Sequence, residues 1–306
     1  VTGSSLDSQL TSVPACQSII KKAVVKRLMA KHHVSVLPES GAEYKVRFML
    51  RKNVCEIMLD TTGEGLHKRG YRRNAMEAPI RETLAATIAD LGRVRRDSIV
   101  EDPFCGSGTL LIEAAQKAMN IAPGLKRRFA AERYSFVPAA IWAEQRQKAL
   151  AEAKLDVGFE AFGYDIDPAA VALANTNAKL AGVEKRCHFE VADVADFAAK
   201  QEAIVLTNPP YGERMSTIEG AAKLARTLGR QMEAHPCAGV YAITADMDFE
   251  AHYGKRANKR RKMYNGMIPC QLYMYYNAPK FEHTAKPMPK SGFDGKRTAP
   301  GRFEKK

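Results

Sequence analysis

The 306-residue sequence contains no Cys-x-x-Cys pair; its six cysteines, at positions 16, 55, 105, 187, 237 and 270, are scattered. That spacing argues against a zinc site or a disulfide framework and suits a reducing, cytoplasmic setting. No apolar run approaches the roughly 20 residues of a bilayer-spanning helix, so no membrane partner is expected. The opening Val1-Thr2-Gly3-Ser4-Ser5 has no basic stretch followed by an apolar core, so it does not read as a signal peptide. It lacks an initiator Met and resembles the end of a strand, as a fragment of a longer chain would. Acidic residues are in deficit, 34 Asp and Glu against 47 Lys and Arg, for a net charge of +13. A field of that sign attracts polyanions, and with the charges clustered it points to nucleic acid rather than to solubility alone.

What is present divides into three parts. Residues 1–65 read as a small α+β unit. A helix is expected from about Leu6 to His32, with Lys21, Lys22, Lys26, Arg27 and Lys31 on a basic face. Strands at Tyr44–Leu50 and Val54–Asp60 follow, alternating at period two and joined by Arg51-Lys52-Asn53. One helix and two strands bury too little surface to stand alone. Residues 66–97 read as a polar connector leading into a helix over Pro79–Asp90.

From Ser98 strands and helices alternate. Strands are expected at Ile99–Asp102, Phe159–Asp165, His188–Val191, Ala203–Thr207, Gly239–Thr244, Lys262–Tyr264 and Leu272–Tyr276. Helices are expected at 108–119, 168–181, 194–200 and 218–234, with a weak one at 248–253. Such alternation implies parallel strands with right-handed crossovers, a doubly wound α/β sheet; the last two strands are close enough for an antiparallel hairpin. An insertion at about 120–154 holds Lys126-Arg127-Arg128 and the only tryptophan, Trp142. The tail 280–306, rich in Lys, Pro and Gly, reads as disordered.

Three strand ends carry the elements of a nucleoside site. The first runs Asp102-Pro103-Phe104-Cys105-Gly106-Ser107-Gly108-Thr109 into a helix, so its glycines allow a ligand close to backbone at a helix N-terminus. Thr109-Leu110 after Gly108 excludes a P-loop, and Leu111 stands where a dinucleotide fold needs its third glycine. The second strand ends in Asp165-Ile166-Asp167; Asp165 is the candidate ribose acceptor, while Asp167 fits a helix N-cap better. The third ends at Asp193, an acceptor for an adenine amino group, with Val194 or Phe197 packing on the ring. Each acid alone is an ordinary strand-end residue; three in succession after a Gly-rich turn form a pattern.

The fourth strand ends in Asn208-Pro209-Pro210-Tyr211. An amine on an aromatic ring is a poor nucleophile because its lone pair is delocalised. If the Asn208 side-chain oxygen and the Pro209 carbonyl hold its two hydrogens, the lone pair localises toward a methyl donor, and the same acceptors stabilise the charge developing on nitrogen. Pro209 and Pro210 fix the turn, and Tyr211 offers a stacking face for an extruded base. Positioning suffices, so neither metal nor covalent nucleophile is expected. With the strand-end acids, the donor is expected to be S-adenosyl-L-methionine, its site drawn from Asp102, Pro103, Phe104, Gly106, Gly108, Thr109, Asp165, Ile166, Asp193, Val194 and Asn208. Pro269-Cys270-Gln271 could mimic a cytosine-methylating cysteine motif, but its position past the fourth strand reads as a structural strand.

These motifs, in this order, resemble class I methyltransferases of the amino-group type. Gly65-Leu66-His67-Lys68-Arg69-Gly70-Tyr71-Arg72, Ala78-Pro79-Ile80-Arg81-Glu82-Thr83-Leu84-Ala85-Ala86 and Asn265-Gly266 resemble, more closely, the THUMP-domain RNA methyltransferases, within them the bacterial enzymes that make 2-methylguanosine in 23S ribosomal RNA. The resemblance implies a Rossmann-like methyltransferase domain over 98–279, its seven-stranded, mostly parallel sheet ending in the hairpin, behind a partial THUMP unit over 1–65. It also implies an RNA substrate; the Asn-Pro-Pro-Tyr motif itself does not choose between guanine and adenine. Candidate phosphate contacts are Lys255, Arg256, Lys259, Arg260 and Arg261 in an acid-free run, with Arg127, Arg128 and the helix-borne Lys21, Lys22 and Lys26; a solvated loop is the alternative for the run.

Overall fold

The computed structural model describes residues 1–37, 39–72, 80–211 and 218–276. Pro79, the Ala78-Pro79 portion of the leader and the basic tail therefore lie outside the described residues.

The first three strands, β1 (Thr2–Leu6), β2 (Lys45–Arg51) and β3 (Val54–Asp60), form one sheet in the order β1-β2-β3. Strands β2 and β3 are antiparallel, and Lys52 and Asn53 between them both take positive φ, the conformation a two-residue hairpin with right-handed twist requires. Helix α1 (Val13–His32) packs on the sheet through a small cluster of Cys16, Phe48 and Leu50. It starts at Val13 rather than at Leu6: Ser12 caps it, its side chain accepting from the Ala15 amide at 3.4 Å, with a proline in the first turn. The residues before it form β1, parallel to β2. Thr-Gly-Ser-Ser-Leu has no apolar alternation, so this strand exists through pairing rather than propensity.

The second sheet has seven strands in the order β6-β5-β4-β7-β8-β10-β9. They are β4 (Ile99–Asp102), β5 (Glu160–Asp165), β6 (Cys187–Val191), β7 (Ile204–Thr207), β8 (Gly239–Thr244), β9 (Lys259–Asn265) and β10 (Ile268–Tyr276). The first five are parallel, and β10 is antiparallel to β8 and β9. The fold is thus the expected Rossmann-like α/β sheet with a C-terminal antiparallel hairpin. Helices α2 (Glu82–Leu91), α3 (Thr109–Ala118) and α5 (Pro168–Ala181) bury one face of the sheet; α6 (Ile218–Ala234) and α7 (Phe249–Tyr253) bury the other. Strand β10 shows the two-sided burial: Leu272 and Met274 enter one core, Tyr273 and Tyr275 the other.

Several boundaries differ from expectation for physical reasons. The helix expected at 194–200 is a single 3₁₀ turn, Val194–Asp196, because Phe197 leaves the helical region to bury its ring. The connector helix starts at Glu82. Strand β9 begins at Lys259, three residues early; Lys-Arg-Arg-Lys conceals an edge strand because only its partner side needs pairing. The insertion contains α4 (Ala139–Ala151), which has no buried residue and so no apolar stripe to read. Among the described residues no helix is long and apolar enough to cross a membrane.

The chain runs outward from β4 through β5 to β6, then returns to add β7 and β8 on the other side of β4. The crevice at such a reversal, outside the carboxyl ends of the strands, is where open α/β sheets bind ligands. Here it lies between Asp102 at the end of β4 and Asn208 after β7.

Candidate active site

A cavity of about 590 Å³ opens at that crevice, within the range of small-molecule sites. Its wall includes Asp102, Pro103, Phe104, Gly106, Thr109, Asp165, Ile166, Asp193, Val194 and Asn208, so ten of the eleven expected cofactor residues share one cavity. Gly108 stands just behind it. Its φ of +77° favours glycine, and a Cβ there would meet the Phe189 ring at 2.8 Å. Gly106, at φ +51°, faces open space instead, leaving backbone accessible.

The acids are held before any ligand arrives. Asp165 Oδ2 accepts from the Gly106 amide at 2.9 Å and Oδ1 from the Asp167 amide at 3.0 Å, which ties the glycine turn to the tip of β5. Each carboxylate oxygen keeps a further lone pair for a hydroxyl donor. Asp193 Oδ1 accepts from the Ala195 amide at 2.8 Å, and Asp167 caps α5. Asp102 is fully buried; its Oδ1 accepts from Thr207 Oγ1 at 2.7 Å and from the Phe104 amide at 3.0 Å. Burial pushes its carboxyl up to about 7, with those two bonds opposing and nearby Asp165 reinforcing the rise.

Asn208 differs from all of these. It is buried, lines the cavity, and its Oδ1 has no hydrogen-bond partner among the described residues. Buried acceptors are almost always satisfied, so this one is poised for a donor from elsewhere. Pro210 also lines the cavity, whereas Pro209 is buried outside the lining. The Tyr211 hydroxyl lies 3.6 Å from Cys270 Sγ on β10, joining the motif to the hairpin. Cys270 itself is a fully buried strand residue, as its position suggested.

The connector contributes more than its sequence announced. Arg72 donates to Thr109 Oγ1 at 3.1 Å and to the Ile80 carbonyl at 3.2 Å, and pairs with Glu82 at 3.2 Å. Arg69 and Tyr71 both bond Glu113 of α3, at 3.2 and 3.1 Å. Burial raises the Glu113 carboxyl, opposed by Arg69 and Tyr71. This network fastens the connector to the start of α3 and sets Ile80 in the cavity wall. The only signal for it was the leader motif; alternating Arg and Tyr in a polar stretch have no periodicity.

The expected phosphate contacts divide. Lys21, Lys22 and Lys26 are exposed on α1, and Lys255, Arg256, Lys259 and Arg261 are exposed before and along β9. Arg128 is 92% exposed beside Glu132. Arg260 is partly engaged by Glu250 at 3.2 Å. Arg127 is corrected: it is buried, and its guanidinium donates to the carbonyls of Thr62, Glu64, Gly65 and Lys68 at 2.5–3.4 Å. Both terminal nitrogens are engaged by the fold and the side chain is buried, which removes Arg127 from the surface a phosphate would meet.

Residues 69–274 match the UPF0020 family model, described as the RMKL-like methyltransferase domain. The chain is 40% identical over 280 residues to YpsC of Bacillus subtilis, provisionally named an RNA methyltransferase, covering 90% of this chain and 73% of that protein. It is 38% identical over 267 residues to the ribosomal RNA large subunit methyltransferase K/L of Shewanella baltica, covering 84% of this chain but only 37% of that larger protein. The crystal structure of SMU.472, provisionally assigned as a methyltransferase and solved with SAH, superposes with a TM-score of 0.83 at 38% identity, covering 91% of this chain and 74% of that one.

Proposed function

The chain belongs to the RMKL-like methyltransferase-domain family, and from that premise we propose that it methylates the exocyclic 2-amino group of a guanine in RNA, with 23S ribosomal RNA as the substrate. Its cofactor is S-adenosyl-L-methionine. The cavity suits that molecule: a glycine turn with open backbone, acids at three strand ends, and apolar lining from Ile166 and Val194, each directly after an acid. In this reading Asp165 takes the ribose hydroxyls, Asp193 takes the adenine amino group, and Ile166 and Val194 flank the ring. Asp102, Pro103, Phe104, Gly106, Gly108 and Thr109 shape the pocket for the amino-acid end. When bound, S-adenosyl-L-methionine supplies an electrophilic methyl group.

The observation that carries the proposal is the buried Asn208 Oδ1, without a partner among the described residues and in the same cavity wall as those acids. An acceptor in that state favours a donor that brings hydrogens and becomes more positive as it reacts. An aromatic amine does both. Asn208 Oδ1 takes one hydrogen and the Pro209 carbonyl the other, the lone pair turns toward the methyl group, and Tyr211 stacks on the base. The extra proton leaves to solvent after transfer.

RNA is supported by the charge of +13, by the exposed lysines and arginines of α1 and β9, and by the names of the similar proteins. A partial THUMP unit over 1–65, the connector over 66–97 and a catalytic domain over 98–279 are the corresponding domain reading. Guanine rests on the leader motifs. Incubation with labelled S-adenosyl-L-methionine and unmodified 23S transcript, followed by nucleoside analysis, should yield 2-methylguanosine. Methyladenosine would reverse the choice of base, and no incorporation would point to a non-catalytic RNA-binding role.

A further inference from the structure

The turn between β9 and β10 is short and sharply defined. Asn265 pairs with Ile268, leaving Gly266 and Met267 as its two central residues; Gly266 has φ +68°, and Met267 keeps a negative φ, the pattern of a hairpin turn with glycine first. Because Gln271 of β10 pairs with Thr244 at the carboxyl end of β8, the turn projects from the same edge of the sheet as Asn208.

Two contacts tie this turn to the active site. The Arg81 amide donates to Asn265 Oδ1 at 3.3 Å, its guanidinium lies against Gly266, and its chain neighbour Ile80 lines the cavity. On the other side, Tyr211 reaches Cys270, two residues beyond Ile268. A rigid tip is therefore anchored to the cavity wall and to the Asn-Pro-Pro-Tyr motif alike.

The surface of this tip is apolar where its strand is cationic. Met267 is 94% exposed, Tyr264 56% and Ile268 40%, with exposed Lys259, Arg261 and Lys262 behind them. Isolated exposed apolar residues are ordinary. On an anchored tip, Met267 at the turn with Tyr264 on one face of the hairpin and Ile268 on the other, rimmed by cations and beside a site for a base, has a specific complement in an unstacked nucleic-acid step. Proteins that unstack bases insert apolar side chains between them, and extrusion leaves a gap of that kind.

We propose that the β9–β10 tip is a wedge: Met267, flanked by Tyr264 on one face of the hairpin and Ile268 on the other, enters the RNA stack beside the target nucleotide while Lys259, Arg261 and Lys262 meet the flanking phosphates. The wedge holds open the gap left by the base that Asn208 receives. This inference rests on the RNA reading above.

The test uses the full chain, labelled S-adenosyl-L-methionine and two unmodified 23S-derived transcripts containing the target nucleotide, one native and one with its pairing partner deleted. Met267→Ser should lower kcat/KM on the native transcript at least ten-fold, and by less than three-fold on the unpaired one. Met267→Leu should stay within three-fold of wild type on both. Cofactor affinity should be unchanged in both variants, which checks folding. Equal activity of Met267→Ser and wild type on native RNA, or an equal loss on both transcripts, would overturn the wedge alone. If the wild type methylates neither transcript, the RNA reading fails, and the wedge with it.

Discussion

The two halves of the sheet's carboxyl edge are prepared in opposite ways. On the β4–β5–β6 side the carboxylates of Asp102, Asp165 and Asp193 already accept backbone or hydroxyl hydrogens. On the β7 side Asn208 Oδ1 is buried without a partner among the described residues. Under the proposed function, the first half holds the cofactor and gains from rigidity, whereas the second receives a group that becomes more positive as it reacts. An unsatisfied buried acceptor costs roughly 1–3 kcal/mol, a cost a fold tolerates where it aids the reaction.

The sharpest way to break this contrast is Asn208→Ala. Transfer should fall by at least about 10²-fold, the scale of losing one preorganised electrostatic partner, while calorimetric affinity for S-adenosyl-L-methionine stays within about two-fold. Survival of activity within a few-fold would sink the assigned role. Asp165→Ala tests the other half. Removing a carboxylate that also holds the glycine turn should weaken cofactor binding by about 10- to 100-fold, the equivalent of a charged hydrogen bond; unchanged binding would show the strand-end acids to be structural only.

A second pair of neighbours extends the comparison. Arg127→Ala should cost about 2 kcal/mol in denaturant unfolding, because four carbonyls lose their shared donor. Arg128→Ala should leave stability within about 0.5 kcal/mol and, if that side chain meets a phosphate, reduce the salt slope of RNA binding by about one. Equal unfolding midpoints for the two variants would contradict the division.

The smallest effect is on pH dependence. The Asp102 carboxyl rises from an ordinary 3.8 to about 7 in the fold, so between those values the unfolded chain has lost a proton the folded chain retains. Stability from this group is therefore greatest below about pH 4, falls as pH rises through the window, and levels off above 7. In thermal melts from pH 4 to 8, Asp102→Asn should flatten the decline seen in wild type; an identical slope would show that Asp102 does not titrate in that range.

Features that depend on neighbours in sequence were legible from the residues alone. The Gly-rich turn, the strand-end acids, Asn208 and Pro210 follow strands of clear pattern, so their convergence on one cavity could be anticipated. Features that depend on partners far along the chain could not. Strand β1 is polar and exists through β2, α4 buries nothing, and the connector's arginines find Glu82 and Glu113 only in three dimensions. Arg127 and Arg128 are identical in type and adjacent, yet one is interior and one exposed, and no local rule separates them.

The Arg127 clamp grips main chain only: all four of its acceptors are peptide carbonyls between Thr62 and Lys68. It therefore recognises the path of that segment and is indifferent to its lettering. Side chains at Thr62, Glu64 and Lys68 are free to drift across related sequences, whereas a one-residue deletion, which rotates the carbonyls away, would release the connector from the insertion while leaving its composition almost unaltered.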